Sequence, residues 1–250
     1  MDVGLLYTVL IVVGGVQVVL RVLPPTALDR AQLVELLSTP VIVGLIAARI
    51  AFVLLDHPAS VFRIRDLMVI RAGMEFWAGI VVALVWILAA RKRVDRRDIK
   101  MRLAAAVPYV LVGVALFEAS CLVRDGCFGP VASVGLVPRG LDSTMVPVGL
   151  VVASVLGVAA VVLRQAWTLE SEQTVLCSFV VVGGVRLVAS WFLPAFGPSR
   201  VERESALVLI LSLVALIAFT ARRRLARRAL AATDLSGQPA SDDGGKVVKL

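Results

Sequence analysis

The sequence predicts an all-α integral membrane protein, a bundle of seven transmembrane helices with its N-terminus outside and its C-terminus in the cytoplasm. Three observations carry that prediction. Hydrophobic residues make up 59% of the 250 and charged residues only 18%, with a mean hydropathy of +0.93, far more apolar than an ordinary soluble domain. The apolar residues fall in seven runs, near 3–21, 38–56, 72–90, 103–123, 145–166, 172–193 and 205–221, each close to the roughly 20 residues a helix needs to cross hydrocarbon. Most of the 26 Lys and Arg lie after the first, third and fifth runs and in the C-terminal segment, which puts those loops in the cytoplasm. The runs are continuous rather than alternating, as expected of helices that satisfy their own backbone in lipid and not of membrane strands.

The first run has no small-residue cleavage site after it and is long enough to cross, so it reads as a retained helix rather than a signal peptide. The second contains Arg49, a charge inside an apolar stretch. The outward segment that follows, HPASVFRIRDLMVIR (57–71), alternates apolar and basic residues. It can lie in the interface with Arg63, Arg65 and Arg71 on lipid phosphates, or reflect topology and snorkelling alone. Glu75 stands near the outer end of the third run, and the basic cluster RKRVDRRDIKMR (91–102) marks its cytoplasmic end.

Glu118 and Cys121 lie in the fourth run, and the loop after it, residues 124–144, holds four Gly and two Pro, which predicts irregular backbone. The sixth run contains Arg186, a permanent charge that needs a partner, a water-filled cavity or an anionic ligand. A second basic cluster, RRRLARR (222–228), follows the seventh run. Both clusters read as topology signals attracted to anionic head groups, and no aromatic or motif signal supports nucleic-acid binding. The expected organisation is one membrane domain over 1–228 and a disordered cytoplasmic tail over 229–250, where small polar residues cannot bury enough apolar surface to order themselves.

Several chemistries are disfavoured. His57 is the only histidine, so neither zinc spacing nor a Ser-His-Asp triad is expected, and no metal or cofactor is called for. Cys121 and Cys127, six residues apart, can pair across a tight turn or remain two small unpaired packing residues. Cys177, inside the sixth run, reads as a packing residue. Intramembrane charge confined to a few positions argues against a transporter.

Five segments together resemble the prolipoprotein diacylglyceryl transferase family. AARIAFVLLDHP (47–58) and RAGMEFWAGIVVALVWILAARKR (71–93) resemble the family's GGRIGYVLF and GGMSFHGG helices. FEASCLVRDGCFG (117–129) is similar to the signature GRxGNFxNGExWG, and closer to its variant GRxGCFxAGCCYG, with Cys121, Cys127, Phe128 and Gly129 in register. VPR (137–139) resembles the external VPRHP segment, and VVVGGVRLVASWF (180–192) the YGxxRFxxExxR helix, placing Arg186 on its arginine.

The resemblance implies transfer of the diacylglyceryl group of phosphatidylglycerol to the lipobox cysteine thiol of a prolipoprotein, in the bacterial plasma membrane. The implied partners are an anionic phospholipid, phosphatidylglycerol, and a prolipoprotein signal-peptide helix. Arg49, Gly73, Gly79, Gly129 and Arg186 keep the family's residues. Trp77 stands at a histidine, Ala78 at a glycine, Glu118 at an arginine, Cys121 at an asparagine, Val151 and Val152 at tyrosine and glutamate, and Ser190 at a glutamate. A second register slides RDGCF (124–128) onto RxGNF and restores the arginine as Arg124, at the expense of a six-residue insertion.

The candidate catalytic residues are therefore Arg186 and Glu118, and the candidate substrate-binding residues are Arg49, Glu75, Gly129 and Arg124. Glu118 would repel a lipid phosphate unless burial protonates it or a partner neutralises it, and Arg186 is the obvious partner. Two readings follow, a divergent transferase and a catalytically silent paralogue that binds lipid or a membrane-protein partner.

Overall fold

The fold is seen in a computed structural model that describes residues 3–25, 28–56, 75–90, 96–124, 127–138, 140–165, 170–193 and 200–236. Among these residues the architecture is all-helical apart from one short hairpin. The helices are α1 (Val3–Val22), α2 (Arg30–Asp56), α3 (Phe76–Ala90), α4 (Arg96–Ser120), α5 (Val148–Gln165), α6 (Ser171–Phe192) and α7 (Arg200–Ser236). A 3-10 turn, Cys121–Arg124, extends α4, and a strand, β1 (Val131–Leu136), lies between it and α5. Segments Arg30–Leu55, Ile99–Val123, Val148–Gln165, Ser171–Phe192 and Glu202–Ala226 are long and apolar enough to cross a membrane, and Leu10–Val22 and Phe76–Ala89 are shorter apolar stretches.

The helices overshoot the hydropathy runs where the chain leaves hydrocarbon. α2 begins at Arg30 rather than near 38, and α7 runs from Arg200 to Ser236 rather than over 205–221. Hydropathy reports the apolar slab, whereas a helix continues into the polar interface as long as its backbone bonds are made. The start of the segment expected to be a disordered tail is consequently helical through Ser236, and residues 237–250 lie outside the described residues. So do residues 57–71, with their basic-apolar alternation, and Gly73 and Arg139.

α4 lies at the centre, packing on α1, α5 and α6, while α2 pairs with α3 and α7 with α6. Residues of α3, α4, α5 and α6 form the main core, in which Trp77, Leu111, Val152, Leu156 and Val182 are buried. Leu20, Leu28, Leu33, Ala106 and Tyr109 form a second cluster, closed by a hydrogen bond from the Tyr109 hydroxyl to the Leu23 carbonyl at 2.9 Å. Lipid is as apolar as these side chains, so their contribution is close packing rather than escape from water. Large apolar residues on the outside, such as Ile46, Val85, Val158 and Ile217, are correspondingly exposed in the isolated chain.

Close backbone approach is most evident between α2 and α3. A Cβ placed on Gly79 would lie 2.8 Å from the Gly44 carbonyl oxygen and 2.9 Å from Ala48 Cβ, and one on Gly44 would lie 2.9 Å from the Gly79 oxygen. The two glycines form a small-residue contact that brings Arg49 and the start of α3 together. Within loop 124–144, expected to be irregular, the stretch 130–136 pairs as a hairpin with 144–146: Ala132 N–H donates to Thr144 O at 2.9 Å and Val146 N–H to Pro130 O at 3.1 Å. The Gly and Pro count marked a chain reversal, and the β-rich residues between supply the ladder.

Replacing Gly79 with leucine forces α2 and α3 apart. The expected loss is about 1–3 kcal/mol of stability, read as a lower unfolding temperature of the purified protein in detergent.

Candidate functional site

The site is built where α3, α4 and α6 converge. Glu118 lies in the last turn of α4, and Arg186 lies six residues before the end of α6, about 9 Å along the axis. Arg186 Nη1 donates to Glu118 Oε1 in an ion pair whose side chains are only 18% and 13% exposed. The guanidinium also stacks on the Phe76 ring, 3.9 Å from its centroid, a contact that strengthens as water is excluded. Arg186 Nε is buried and has no hydrogen-bond partner among the described residues.

Glu118 is held from below by α5. A Cβ on Gly149 would lie 2.7 Å from the Glu118 carbonyl oxygen and 3.2 Å from Cys127 Cβ, so only glycine lets α5 start this close to α4. The Gly149 N–H donates to the Cys127 carbonyl at 3.2 Å. Cys121 and Cys127 form a disulfide, Cα atoms 5.8 Å apart, which resolves the alternatives left open by the spacing and staples the hairpin to the end of α4. Cys127 takes a left-handed conformation, φ 58°, uncommon for a non-glycine residue. Gly129 is buried where a Cβ would meet Val148 Cγ2 at 2.7 Å and the Phe192 carbonyl oxygen at 3.1 Å, so it seats the hairpin against the end of α6.

A second charged group sits at the α2–α3 contact. Arg49 and Glu75 are both buried, and the Glu75 N–H donates to the carbonyl of Ala48, the neighbour of Arg49, at 3.1 Å. Arg49 also lies over the Phe52 ring, 5.6 Å from its centroid. Both residues are engaged within the bundle rather than open to solvent. Glu75 immediately precedes Phe76, so one short stretch links the Arg49 group to the ring beneath Arg186.

The structure thus brings Arg186 and Glu118 into contact and places Arg49 and Glu75 beside each other. Arg124 ends the 3-10 turn, and its side chain lies outside the described residues. Ser190, at the resemblance's glutamate, turns its hydroxyl back to the Leu187 carbonyl at 2.7 Å, and Val152 is part of the core. Trp77, at the resemblance's histidine, donates its indole N–H to Ser205 Oγ of α7 at 3.2 Å in a buried contact. An indole nitrogen is a donor only and cannot accept a proton as imidazole does.

Phe76 and Ser205 are parts of the site that sequence reasoning missed. The aromatic pair at the start of α3 was the available signal for Phe76, while Ser205 carries none. Among the described residues there is no cluster of His, Cys, Asp or Glu able to hold a metal ion.

Two outcomes follow from this geometry. Glu118→Gln leaves a buried guanidinium uncompensated and lowers stability by about 3–5 kcal/mol, whereas Glu118→Gln with Arg186→Gln recovers much of the loss, a non-additivity that a double-mutant unfolding cycle measures. Thiol-reactive reagents modify Cys177 alone in unfolded, unreduced protein and all three cysteines after reduction.

The chain was also compared with known proteins. No curated protein sequence matches it. The family model for prolipoprotein diacylglyceryl transferase matches residues 3–223. That span takes in the Arg186–Glu118 pair, the Arg49–Glu75 group and the disulfide-closed hairpin, and the chain therefore belongs to the prolipoprotein diacylglyceryl transferase family.

Proposed function

We propose that this protein transfers the diacylglyceryl group of phosphatidylglycerol to the lipobox cysteine thiol of prolipoproteins, as a multi-pass protein of the bacterial plasma membrane with its N-terminus outside. The observation that carries the reading is the buried Nε–H of Arg186, which has no partner among the described residues. Leaving a buried donor unmet costs about 1–3 kcal/mol. A lipid phosphate oxygen supplies the missing acceptor, and the neighbouring nitrogen stays on Glu118.

In this reaction the cysteine sulfur attacks the glyceryl carbon that carries the phosphate ester. The C–O bond breaks, a thioether forms, and glycerol phosphate leaves with the bonding electrons. Arg186 stabilises the charge that grows on the departing phosphate, where a preorganised donor in a water-poor site is most effective. Glu118 takes the thiol proton, because thiolate and not thiol is the nucleophile. Its own negative charge is offset by Arg186, so an incoming phosphate does not meet a bare carboxylate. Arg49, with Glu75 beside it, contributes positive charge at the lipid head group.

The silent-paralogue reading has its own support in Trp77 and Glu118. The first replaces a residue able to carry a proton with one that cannot. The second already satisfies part of the arginine that would otherwise face lipid. Under this reading the bundle holds lipid or a membrane-protein partner without turnover.

Expression in cells depleted of their own transferase separates the two. If the proposal holds, the chain restores thioether lipidation of a reporter lipoprotein, and Arg186→Gln lowers the rate by about 10²–10³-fold. Failure of the natural sequence, with activity gained by Glu118→Arg plus Trp77→His, establishes the silent reading instead.

A further inference from the structure

We infer that the end of the bundle opposite Arg186 and Glu118 holds a second anionic-phospholipid site, in a polar cavity between α6 and α7. The cavity has a volume of about 200 Å3, opens to the surface and is lined by Gln173, Thr220, Arg223 and Arg224. Gln173 lies at the third position of α6, thirteen residues before Arg186, which is roughly 20 Å along the helix axis. Lys100, at the start of α4, pairs with Glu172 at this end, just as Glu118 pairs with Arg186 at the other. The two sites are therefore separated by most of the bundle's length.

The donors in the cavity suit a phosphate. Gln173 spends its carbonyl oxygen on the Glu170 N–H at 3.2 Å, which leaves its amide N–H groups to donate. Arg223 is held in place by an ion pair with Glu170 and by the Phe219 ring, 5.1 Å from its guanidinium. Arg224 has no acceptor among the described residues, and its five donors are available. The nearby carboxylates, Glu170 and Glu172, are each already paired with a cation, so Arg224 has no counter-charge among the described residues.

Position selects a lipid over a free phosphate. The cavity lies where the apolar run of α7 gives way to Arg222, Arg223 and Arg224, the depth of head groups at a membrane surface. Directly before it along α7, Leu213 is 39% and Ile217 65% exposed, with Val214 exposed between them. A phosphodiester in the cavity and an acyl chain along that face satisfy both surfaces, whereas inorganic phosphate uses only the first. This lipid is bound and not consumed, and its site does not depend on the transfer reaction.

The test uses the full chain in nanodiscs of equal phosphatidylglycerol and phosphatidylcholine, with the lipid retained after detergent extraction counted by native mass spectrometry. The expected result is that Gln173→Ala with Arg224→Ala loses one tightly held phosphatidylglycerol, and that Arg224→Ala alone, which keeps the Gln173 bond to the Glu170 N–H, weakens its retention with unfolding temperature unchanged. Retention is weakened about fivefold for the removed charge and falls further with added salt, while Arg224→Lys keeps the lipid. Unchanged phosphatidylglycerol retention in the double variant overturns the proposal. So does displacement of the lipid by millimolar inorganic phosphate, which identifies the cavity as a free-phosphate site, or equal retention of phosphatidylcholine, which shows that charge is not recognised.

Discussion

A guanidinium enclosed by helices in a bilayer needs a counter-charge and acceptors for its N–H groups, and much of the local architecture follows from meeting that need at Arg186. Glu118 supplies the counter-charge from α4, and Phe76 supplies a ring face from α3. Three helices distant in sequence are thereby fixed at one point. The same two helices, α4 and α6, are joined at their other ends by Lys100 and Glu172, so α6 is aligned with α4 along its length. Nε is the donor this arrangement leaves unmet among the described residues, and it is the atom proposed to meet a lipid phosphate.

The surroundings of the pair have limited freedom. Gly149 permits α5 to begin against the Glu118 backbone, and the Cys121–Cys127 disulfide ties the hairpin to the turn after α4. Gly129 seats the same hairpin on the end of α6. A carboxylate supported in this way keeps its orientation without water to hold it. The Trp77–Ser205 hydrogen bond ties α3 to α7 with a donor that has no proton-accepting role. In this chain charge compensation of Arg186 falls to Glu118, which stands where the resemblance has an arginine.

The helical bundle was legible because hydropathy alone distinguishes lipid-facing runs, and Arg186 and Glu118 were legible because charge is conspicuous in such runs. Their depth was not. Arg186 lies inside the run at 172–193, yet α6 ends at Phe192 and the contact with Glu118 places it near one end of the bundle. Phe76 and Ser205 were hidden because contacts between remote helices leave no local pattern in the sequence. The hairpin after α4 was hidden for a different reason: its apolar residues are interrupted by glycine and proline, and its pairing depends on Met145 and neighbouring residues across the turn. The disulfide was an open alternative until the backbone brought the two Cα atoms together.

Arg186 is proposed to divide its donors between Glu118 and a lipid phosphate. The most direct measurement is a cryo-EM map of the full chain in phosphatidylglycerol-containing nanodiscs, at a resolution that separates side chains from head groups. The account predicts phosphate density within hydrogen-bonding distance of Arg186 Nε, with the Glu118 carboxylate still on Nη1. A protein acceptor at Nε, or an Arg186 enclosed by side chains with no head group beside it, would contradict the account and leave the ion pair as a structural contact alone.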